Sequence, residues 1–357
     1  MAFLVKIELE TKEPVLFPKS RQQGNHFPGL DYIPGSAIRG ALAGAMVAAG
    51  KEQLISKLIG HGLLISNFHT HNTLPIPLTL MRCKRDIAGT PHKRINIALT
   101  PDDYDPCDYC KGPMVNKPGY IYFMEKGISY SKSDGSTRLV THNRIDPESG
   151  TSSGKSGKND GANLYSAEVL ELGQKFIGYL SWPTRQSRDE LLGLDGILSQ
   201  GHSFMLGKMK GRGYGRCEMK LVSTCDDSTI GSEIRNSCGI ELKSEITSFT
   251  VLQDAIFLDD FVQNSVLPRT SDIPGITIQP NGAWSSFRTV HGFNMKRGVL
   301  NPPETSVVAG STYLTSPFSF EAAHKLEENG VGARRCDGFG VVICGLAEAL
   351  NAEEVWK

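Results

Sequence analysis

Apolar and charged residues alternate at the start of the chain. Val5, Ile7 and Leu9 are apolar, and each is followed by a lysine or a glutamate. A period of two is typical of a strand with one buried face, so the chain is predicted to open with a strand. Further strand-like runs follow at residues 62–67, 217–222, 246–258 and 341–344.

One stretch near the start has helical periodicity instead. Ile38, Leu42 and Met46 recur every fourth residue, Ser36 stands where an N-cap is expected, and Gly50 stands where the helix should end. A shorter helical stretch follows directly after it. Short strands with few helices favour an α+β fold over a doubly wound parallel sheet.

A glycine-rich segment occurs twice. Gly207–Gly215 and Gly332–Gly340 both contain a glycine, five residues, and then glycine–aromatic–glycine, and both lead into a strand-like run. Such a repeat indicates two similar units, each closed by its own loop. We therefore predict one domain at residues 1–225 and another at 238–357, with the boundary near residues 223–237.

The two glycine loops have the composition of phosphate-binding segments. Glycines let a backbone approach a ligand and turn its N–H groups outward, and lysine and arginine pair with phosphate. The candidate cations are Lys208, Lys210, Arg212, Arg216, Arg334 and Arg335. Tyr214 and Phe339 would either stack on a base or fill the core. The alternative is a pair of tight turns with solvated charges.

The predicted N-terminus of the first helix is a second candidate anion site. Free N–H groups and the positive end of the helix dipole meet there, beside Ser36 and Arg39. By itself this signal is weak, because many helices begin after a Pro-Gly turn.

A cysteine cluster lies in a Pro-, Asp- and Cys-rich stretch from about residue 75 to 118. Cys107 and Cys110 form a C-x-x-C pair, and together with Cys83 and His92 they make a Cys3His set suited to structural Zn2+. His69 and His71 compete for the histidine position, and free thiols are the other interpretation. Basic residues beside the cluster provide a second candidate nucleic-acid surface: Arg82, Lys84, Arg85, Lys93 and Arg94.

Composition excludes several classes of protein. The 357 residues are 39% hydrophobic and 21% charged, which is typical of a globular protein and not of a disordered, collagen-like or coiled-coil one. No run approaches the roughly 20 apolar residues of a membrane span, and no signal peptide is recognisable, so we expect a cytoplasmic protein with reduced thiols. Equal numbers of acidic and basic residues, 38 each, leave the partner undecided. Residues 149–161 contain no large apolar side chain and predict a flexible loop.

These segments together resemble the RAMP superfamily, the repeat-associated RNA-binding subunits of CRISPR effector complexes. The resemblance rests on residues 32–40 (YIPGSAIRG), on 142–146 (HNRID) with 164–176, and on the loop Gly332–Gly340. Residues 75–85 and 290–311 are similar, more narrowly, to the two-domain subunit of type III-D systems.

The resemblance implies two ferredoxin-like domains, here with a zinc-binding insertion in the first. It also implies binding of CRISPR RNA, assembly with other RAMP backbone subunits and with a large polymerase-like subunit, and indirect contact with target RNA. Target-cleaving subunits carry an acidic residue in the loop before the Pro-Gly-Ser helix. Here that loop holds only Asp31, directly against the Tyr-Ile-Pro-Gly-Ser run, so we expect a non-catalytic subunit.

Two other functions stay open on the sequence alone. One is a metal-independent endoribonuclease that processes CRISPR RNA, with His26 as its general acid or base. The other is a protein scaffold with little RNA contact. Gly150–Ser156 resembles a Walker A loop but has one residue too few between its glycines, so we reject nucleotide binding there.

Overall fold

The computed structural model has a mixed α/β fold with many short strands and few helices. It describes residues 3–19, 25–60, 62–85, 92–100, 105–125, 127–143, 145, 164–182, 201–242, 245–294 and 299–350. Within these ranges no helix is long and apolar enough to cross a membrane. The predicted flexible loop at residues 149–161 lies outside them.

The elements are numbered in chain order. The strands of the N-terminal half (residues 3–226) are β1 Phe3–Thr11, β2 His26–Phe27, β3 Leu64–Ile65, β4 Thr73–Pro75, β5 Leu80–Cys83, β6 Arg94–Asn96, β7 Met114–Val115, β8 Tyr120–Met124, β9 Gly127–Ser131, β10 Thr137–Asn143, β11 Leu164–Leu170, β12 Lys175–Trp182, β13 His202–Met205 and β14 Arg216–Asp226. Those of the C-terminal half (residues 246–350) are β15 Ile246–Val251, β16 Ile278–Trp284, β17 Phe287–Val290, β18 Phe293–Asn294, β19 Val299–Leu300, β20 Glu304–Val307, β21 Thr312–Phe318 and β22 Val342–Cys344. The helices are α1 Gly35–Ala48, α2 Glu52–Gly60, α3 Ile230–Cys238, α4 Phe320–Asn329 and α5 Leu346–Ala349.

Each half is built on one main antiparallel sheet. The N-terminal sheet has the order β13-β14-β1-β12-β3, and the C-terminal sheet has the order β16-β21-β15-β22. The comparison leaves out the edge strand β13 and numbers the remaining four strands of each sheet along the chain. Both sheets then read fourth–first–third–second across their width. The two halves therefore share one strand topology, and α3 connects them.

The predicted opening strand is confirmed as β1, which lies inside its sheet between β12 and β14. Val5, Ile7 and Leu9 point to the face covered by α1, where Ile38 and Leu42 pack on them. Leu4 points to the opposite face. The alternating pattern follows from this position, since successive side chains of a strand face opposite sides.

Helix α1 differs from the prediction at its start. The helix begins at Gly35 and Pro34 is its N-cap residue, so Ser36 lies in the first turn and is not the N-cap. Pro34 makes no side-chain cap bond, and the N–H of Gly35 donates instead to Asn67 Oδ1. The predicted stop is confirmed: Gly50 has a φ of 69° directly after the C-cap residue.

A shared core lies between the two sheets. Leu4 and Tyr179 of the N-terminal sheet contribute to the same buried cluster as Val341 and Ile343 of the C-terminal half. Val342 and Cys344 face the other way, into the core of the C-terminal half. Residues 341–344 are continuously apolar because both faces of this strand are buried.

The C-terminal half departs from the predicted pattern after its first strand. The apolar pattern predicts a strand-like run over residues 246–258, but β15 ends at Val251 and the chain continues through buried turns. Among the described residues, no helix lies between β15 and β16, whereas α1 and α2 occupy that position in the N-terminal half. Buried Phe257, Ile273 and Ile276 fill the core of this half in the segment that follows β15.

Candidate functional site

The two glycine loops have the same backbone conformation. We call residues 207–215 the first loop and residues 332–340 the second loop. Gly207 and Gly332 have φ angles of 74° and 73°, and Met209 and Arg334 are also left-handed, with φ angles of 60° and 58°. A single 3-10 turn follows each of these residues. Left-handed non-glycine residues are uncommon, so their recurrence at the same position shows that the repeat extends to the backbone.

Both loops are fixed to equivalent segments by equivalent hydrogen bonds. Lys208 N–H donates to Leu16 O, and Ala333 N–H donates to Ile256 O, each at a distance of 2.9 Å. Leu16 and Ile256 each lie five residues beyond the end of the first strand of their half. A Cβ at Gly207 would stand 2.5 Å from the oxygen of Leu16, so this glycine is required by close backbone contact.

The first loop presents its cations to solvent. Lys208, Lys210 and Arg212 are exposed, as is Arg216, which directly follows the loop as the first residue of β14. Within the described part of the chain, neither Lys208 nor Lys210 forms an ion pair, whereas Arg216 pairs with Glu13 at 3.4 Å. Arg212 donates to the hydroxyl of Tyr165. This loop therefore carries uncompensated positive charge on an ordered backbone.

Tyr214 of the first loop belongs to the interior. Its side chain is buried, and its hydroxyl lies 3.0 Å from His142 Nε2. The ring of His142 stacks on that of Tyr165, with 5.2 Å between centroids. Of the two alternatives for Tyr214, the structure supports a core role.

The second loop has its main charge neutralised. Arg334 is half-buried and pairs with Asp337 at 3.0 Å and with Glu304. Burial opposes the charge of Arg334, but the two carboxylates outweigh it and raise the pKa of the guanidinium. The ring of Phe339 lies 5.1 Å from this guanidinium. Arg335 is exposed and donates to the carbonyl of Asn329.

The second loop covers the start of α1. A Cβ at Gly35 would stand 2.8 Å from the Cα of Gly338, and Gly35 N–H already donates to Asn67 Oδ1 at 2.9 Å. Arg39 pairs with Asp337 at 2.6 Å across this contact. The structure therefore brings Arg39 and Arg334 together on Asp337, as a joint between the two halves. Ser36 remains exposed beside it.

The predicted cysteine set converges. One ligand atom each from Cys83, His92, Cys107 and Cys110 lies within 4.8 Å of every other, and three of these residues are buried. His69 is not part of the cluster, because its Nδ1 lies 2.9 Å from Asp134. Tetrahedral Zn2+ with bonds of about 2.0–2.3 Å would place its ligand atoms a little under about 4 Å apart, so the residues fit such an ion.

Backbone groups support the sulfurs of this cluster. Lys93 N–H donates to Cys107 Sγ, and Arg85 N–H donates to Cys83 Sγ, both at a distance of 3.4 Å. Burial opposes ionisation of Cys107, but hydrogen bonds from the N–H groups of Lys93 and Cys110 and from His92 lower its pKa to about 6. A thiolate is the form that binds metal, so Cys107 is prepared for this role.

The surroundings of the cluster are basic and partly aromatic. Lys84 and Arg85 are exposed, and Tyr109, inside the C-x-x-C turn, is 65% exposed. Arg82 lies 4.3 Å from the ring centre of Tyr130. Lys93 and Arg94 are half-buried. Exposed cations beside an exposed ring are a combination suited to single-stranded nucleic acid.

The candidate catalytic residues are engaged in structural contacts. The Asp31 carboxylate accepts from the Tyr120 hydroxyl at 3.1 Å and from Asp134 N–H at 3.2 Å. His26 Nδ1 lies 3.0 Å from the hydroxyl of Ser166, in β2 beside β11. Asp31 is thus a cross-link between its loop and the β8–β9 region.

Sequence reasoning missed the acidic partners of the arginines. Asp337 stands inside the second loop, but the pattern of cations there does not identify it as their partner. Glu304 is thirty residues distant from Arg334. The first loop has Arg212 at the position that corresponds to Asp337. That difference within an otherwise shared motif was the available signal.

Comparisons with known proteins give a family and distant structural likenesses. Residues 8–218 match the model of the RAMP superfamily, and no curated protein matches the chain. A cryo-EM structure of the type III-B Cmr-beta bound to cognate target RNA is similar at 11% identity and a TM-score of 0.42, over 87% of this chain and 86% of that one. A structure described as a RAMP protein binding different RNA substrates has 11% identity and a TM-score of 0.40, over 96% and 99%. A CRISPR-associated protein Cas6 has 9% identity and a TM-score of 0.38, also over 96% and 99%. Because the family model covers more than half of the chain, the protein belongs to the RAMP superfamily.

Proposed function

We propose that this chain is a non-catalytic, RNA-binding structural subunit of a type III CRISPR effector complex, similar to the two-domain subunit of type III-D systems. The observation that carries the proposal is the first loop, where three cations are exposed on an ordered glycine-rich backbone, with a fourth, Arg216, directly after it. Its ligand would be CRISPR RNA, and its protein partners would be other RAMP backbone subunits and the large polymerase-like subunit. Contact with target RNA would be indirect.

The proposal includes two ferredoxin-like domains, at residues 1–225 and 238–357. The support is the fourth–first–third–second strand order of both sheets and the shared geometry of both loops. The second domain would be a reduced version, with the turns after β15 in place of the first helix.

The two loops would divide the work between them. The first loop would hold the RNA backbone, since Lys208 and Lys210 are exposed and form no ion pair within the described part of the chain. The second loop would chiefly join the halves, because Arg39 and Arg334 are paired with Asp337. Ser36 and Arg335 are exposed near this joint and would add contacts to the same RNA strand.

Zinc would stabilise the insertion at Cys83, His92, Cys107 and Cys110. Zn2+ bound there would supply a tetrahedral cross-link between residues that are up to 27 positions apart. Exposed Tyr109, Lys84 and Arg85 around it would form a second RNA contact.

The dependence of RNA affinity on salt tests the role of the first loop. Four phosphate contacts would give a slope of log affinity against log salt of about −2.8, and each lost contact would flatten it by about 0.7. The variant Lys208→Ala/Lys210→Ala should therefore flatten the slope by about 1.4. The matched control is Lys175→Ala/Lys220→Ala, two lysines that pair with Glu8 on the same half.

The measurement is fluorescence anisotropy of labelled single-stranded RNA with the folded full-length chain. A wild-type slope in the Lys208/Lys210 variant would contradict the proposal. Equal flattening in the control would show general electrostatic attraction instead. The endoribonuclease alternative predicts cleavage of repeat RNA by the isolated chain, with loss of products in His26→Ala.

A further inference from the structure

A short turn on the C-terminal half exposes two adjacent apolar side chains. We call residues 259–263 the Phe261 turn. Phe261 is 83% exposed and Val262 is 70% exposed. Val266 and Leu267, which follow the turn, are 49% and 40% exposed. A cluster of four exposed apolar side chains is unusual on a surface that stays in water.

The turn is ordered by its own hydrogen bonds. Asp259 Oδ1 accepts from the N–H of Phe261 at 2.9 Å and from that of Gln263 at 2.8 Å, and Asp259 N–H donates to Gln263 O at 2.8 Å. Val262 has a φ of 63°, which is strained for a β-branched residue. The backbone is thus held in a conformation that presents Phe261, so binding through it would cost little ordering entropy.

The base of the turn is fixed to the core. The buried hydroxyl of Tyr313 donates to Val266 O at 2.9 Å, and Ser265 N–H donates to Phe257 O. The corresponding segment of the N-terminal half, residues 17–30, is longer. It is closed by an equivalent hydrogen bond, in which Leu30 N–H donates to Phe17 O as Ser265 N–H does to Phe257 O. There, His26–Phe27 joins a sheet as β2. Among the described residues of the C-terminal half, no strand pairs with the Phe261 turn.

The charge of the turn indicates the kind of partner. Residues 257–268 contain Asp259 and Asp260 and no lysine or arginine, and Asp260 is exposed. The next residue, Arg269, is half-buried, and its guanidinium donates to the carbonyl of Leu258 at 2.7 Å at the base of the turn. A nucleic-acid surface needs cations, so two carboxylates beside the ring disfavour RNA. An exposed aromatic anchor with an acidic edge is complementary to an apolar pocket with a basic rim.

We propose that Phe261 and Val262 insert into an apolar pocket, rimmed by lysine or arginine, on another protein subunit. The existence of that subunit rests on the proposed function. The site is separate from the first loop, so the two proposals can fail separately.

Photocrosslinking in the purified ribonucleoprotein tests this contact. A chain with Phe261→p-benzoylphenylalanine is assembled, irradiated, and analysed by peptide mass spectrometry. The proposal expects one major adduct, to a different protein subunit, on a peptide with apolar residues next to a lysine or arginine. An adduct to RNA, an adduct to a second copy of this chain, or no adduct above the level of an unirradiated sample would overturn it.

A pair of variants provides the matched control. Phe261→Ser should lower the amount of that subunit in the purified complex at least fivefold, whereas Phe320→Ser, at a 53% exposed phenylalanine in the first turn of α4, should leave it unchanged. The isolated Phe261→Ser chain should keep its affinity for RNA. Retention of the subunit by Phe261→Ser, or equal loss in both variants, would contradict the inference.

Discussion

The buried ion pair beside α3 allows a stability prediction to be worked out in detail. Arg235 of α3 and Glu327 of α4 are paired through two nitrogens, and their side chains are 9% and 0% exposed. The Glu327 carboxylate also accepts from the Thr229 hydroxyl at 2.6 Å and from Cys344 N–H at 2.9 Å. A Cβ at Gly231 would stand 2.3 Å from Glu327 Cδ, so the helix is pressed directly against this carboxylate.

Glu327→Gln keeps the volume and removes the charge. One carboxylate oxygen becomes an NH2 group that can only donate, although the Arg235 nitrogens and Cys344 N–H around it are donors too and only the Thr229 hydroxyl is able to accept. Arg235 is then left buried without a counter-charge. Removal of one partner of a buried pair costs about 3–5 kcal/mol, which is a fifth or more of the roughly 5–15 kcal/mol that stabilises a typical domain.

Urea unfolding measured by tryptophan fluorescence tests the prediction. Trp182 in β12 and Trp284 in β16 report on the two halves. The matched control, Glu328→Gln on the next residue of α4, should stay within about 0.5 kcal/mol of wild type. The double variant Arg235→Met/Glu327→Leu should recover part of the loss, because neither buried charge remains, while Cys344 N–H and the Thr229 hydroxyl still lose their acceptor. A change below about 1 kcal/mol for Glu327→Gln would refute the reasoning.

Three further outcomes are expected. Cys107→Ser should reduce bound zinc from one equivalent per chain to well below one in elemental analysis, while Cys225→Ser, outside the cluster, should retain it. Gly178→Ala should destabilise the fold by more than about 2 kcal/mol in urea unfolding, because its Cβ would lie 1.7 Å from the ring of buried Phe68. The control Gly173→Ala meets nothing within 4 Å, so it lacks this clash and should show only the smaller cost of its positive φ. Asp31→Ala should leave RNA cleavage by an assembled complex unchanged, and it should lower the stability of the chain through the lost Tyr120 hydrogen bond. Loss of a single cleavage product with assembly intact would make the non-catalytic assignment wrong.

Periodicity and glycine spacing predicted the local structure well. The opening strand and α1 follow from alternation and four-residue recurrence, because burial of one face imposes those periods. The loops were predicted as a repeat, since left-handed positions demand glycine wherever the backbone is crowded. The four zinc-ligand candidates were identified by residue type and local spacing.

Long-range partners could not be predicted from the sequence in the same way. Arg39 reads as a free cation until Asp337, almost three hundred residues later, is brought beside it. Ser36 was wrongly predicted as an N-cap because the helix begins one residue before it, where the distant Asn67 side chain accepts from the N–H of Gly35. The exposure of the Phe261 turn could not be predicted either, because Phe261 and Val262 follow the apolar run at residues 246–258 and resemble a continuation of it.

The contact of α1 with the second loop has a consequence for concentration dependence. Two similar units meet there within one chain, so their docking is an intramolecular step whose effective concentration does not change on dilution. Separate chains that met in the same way would dissociate as their concentration fell. The covalent connection also fixes the ratio of the two loops at one to one in any assembly that the chain enters.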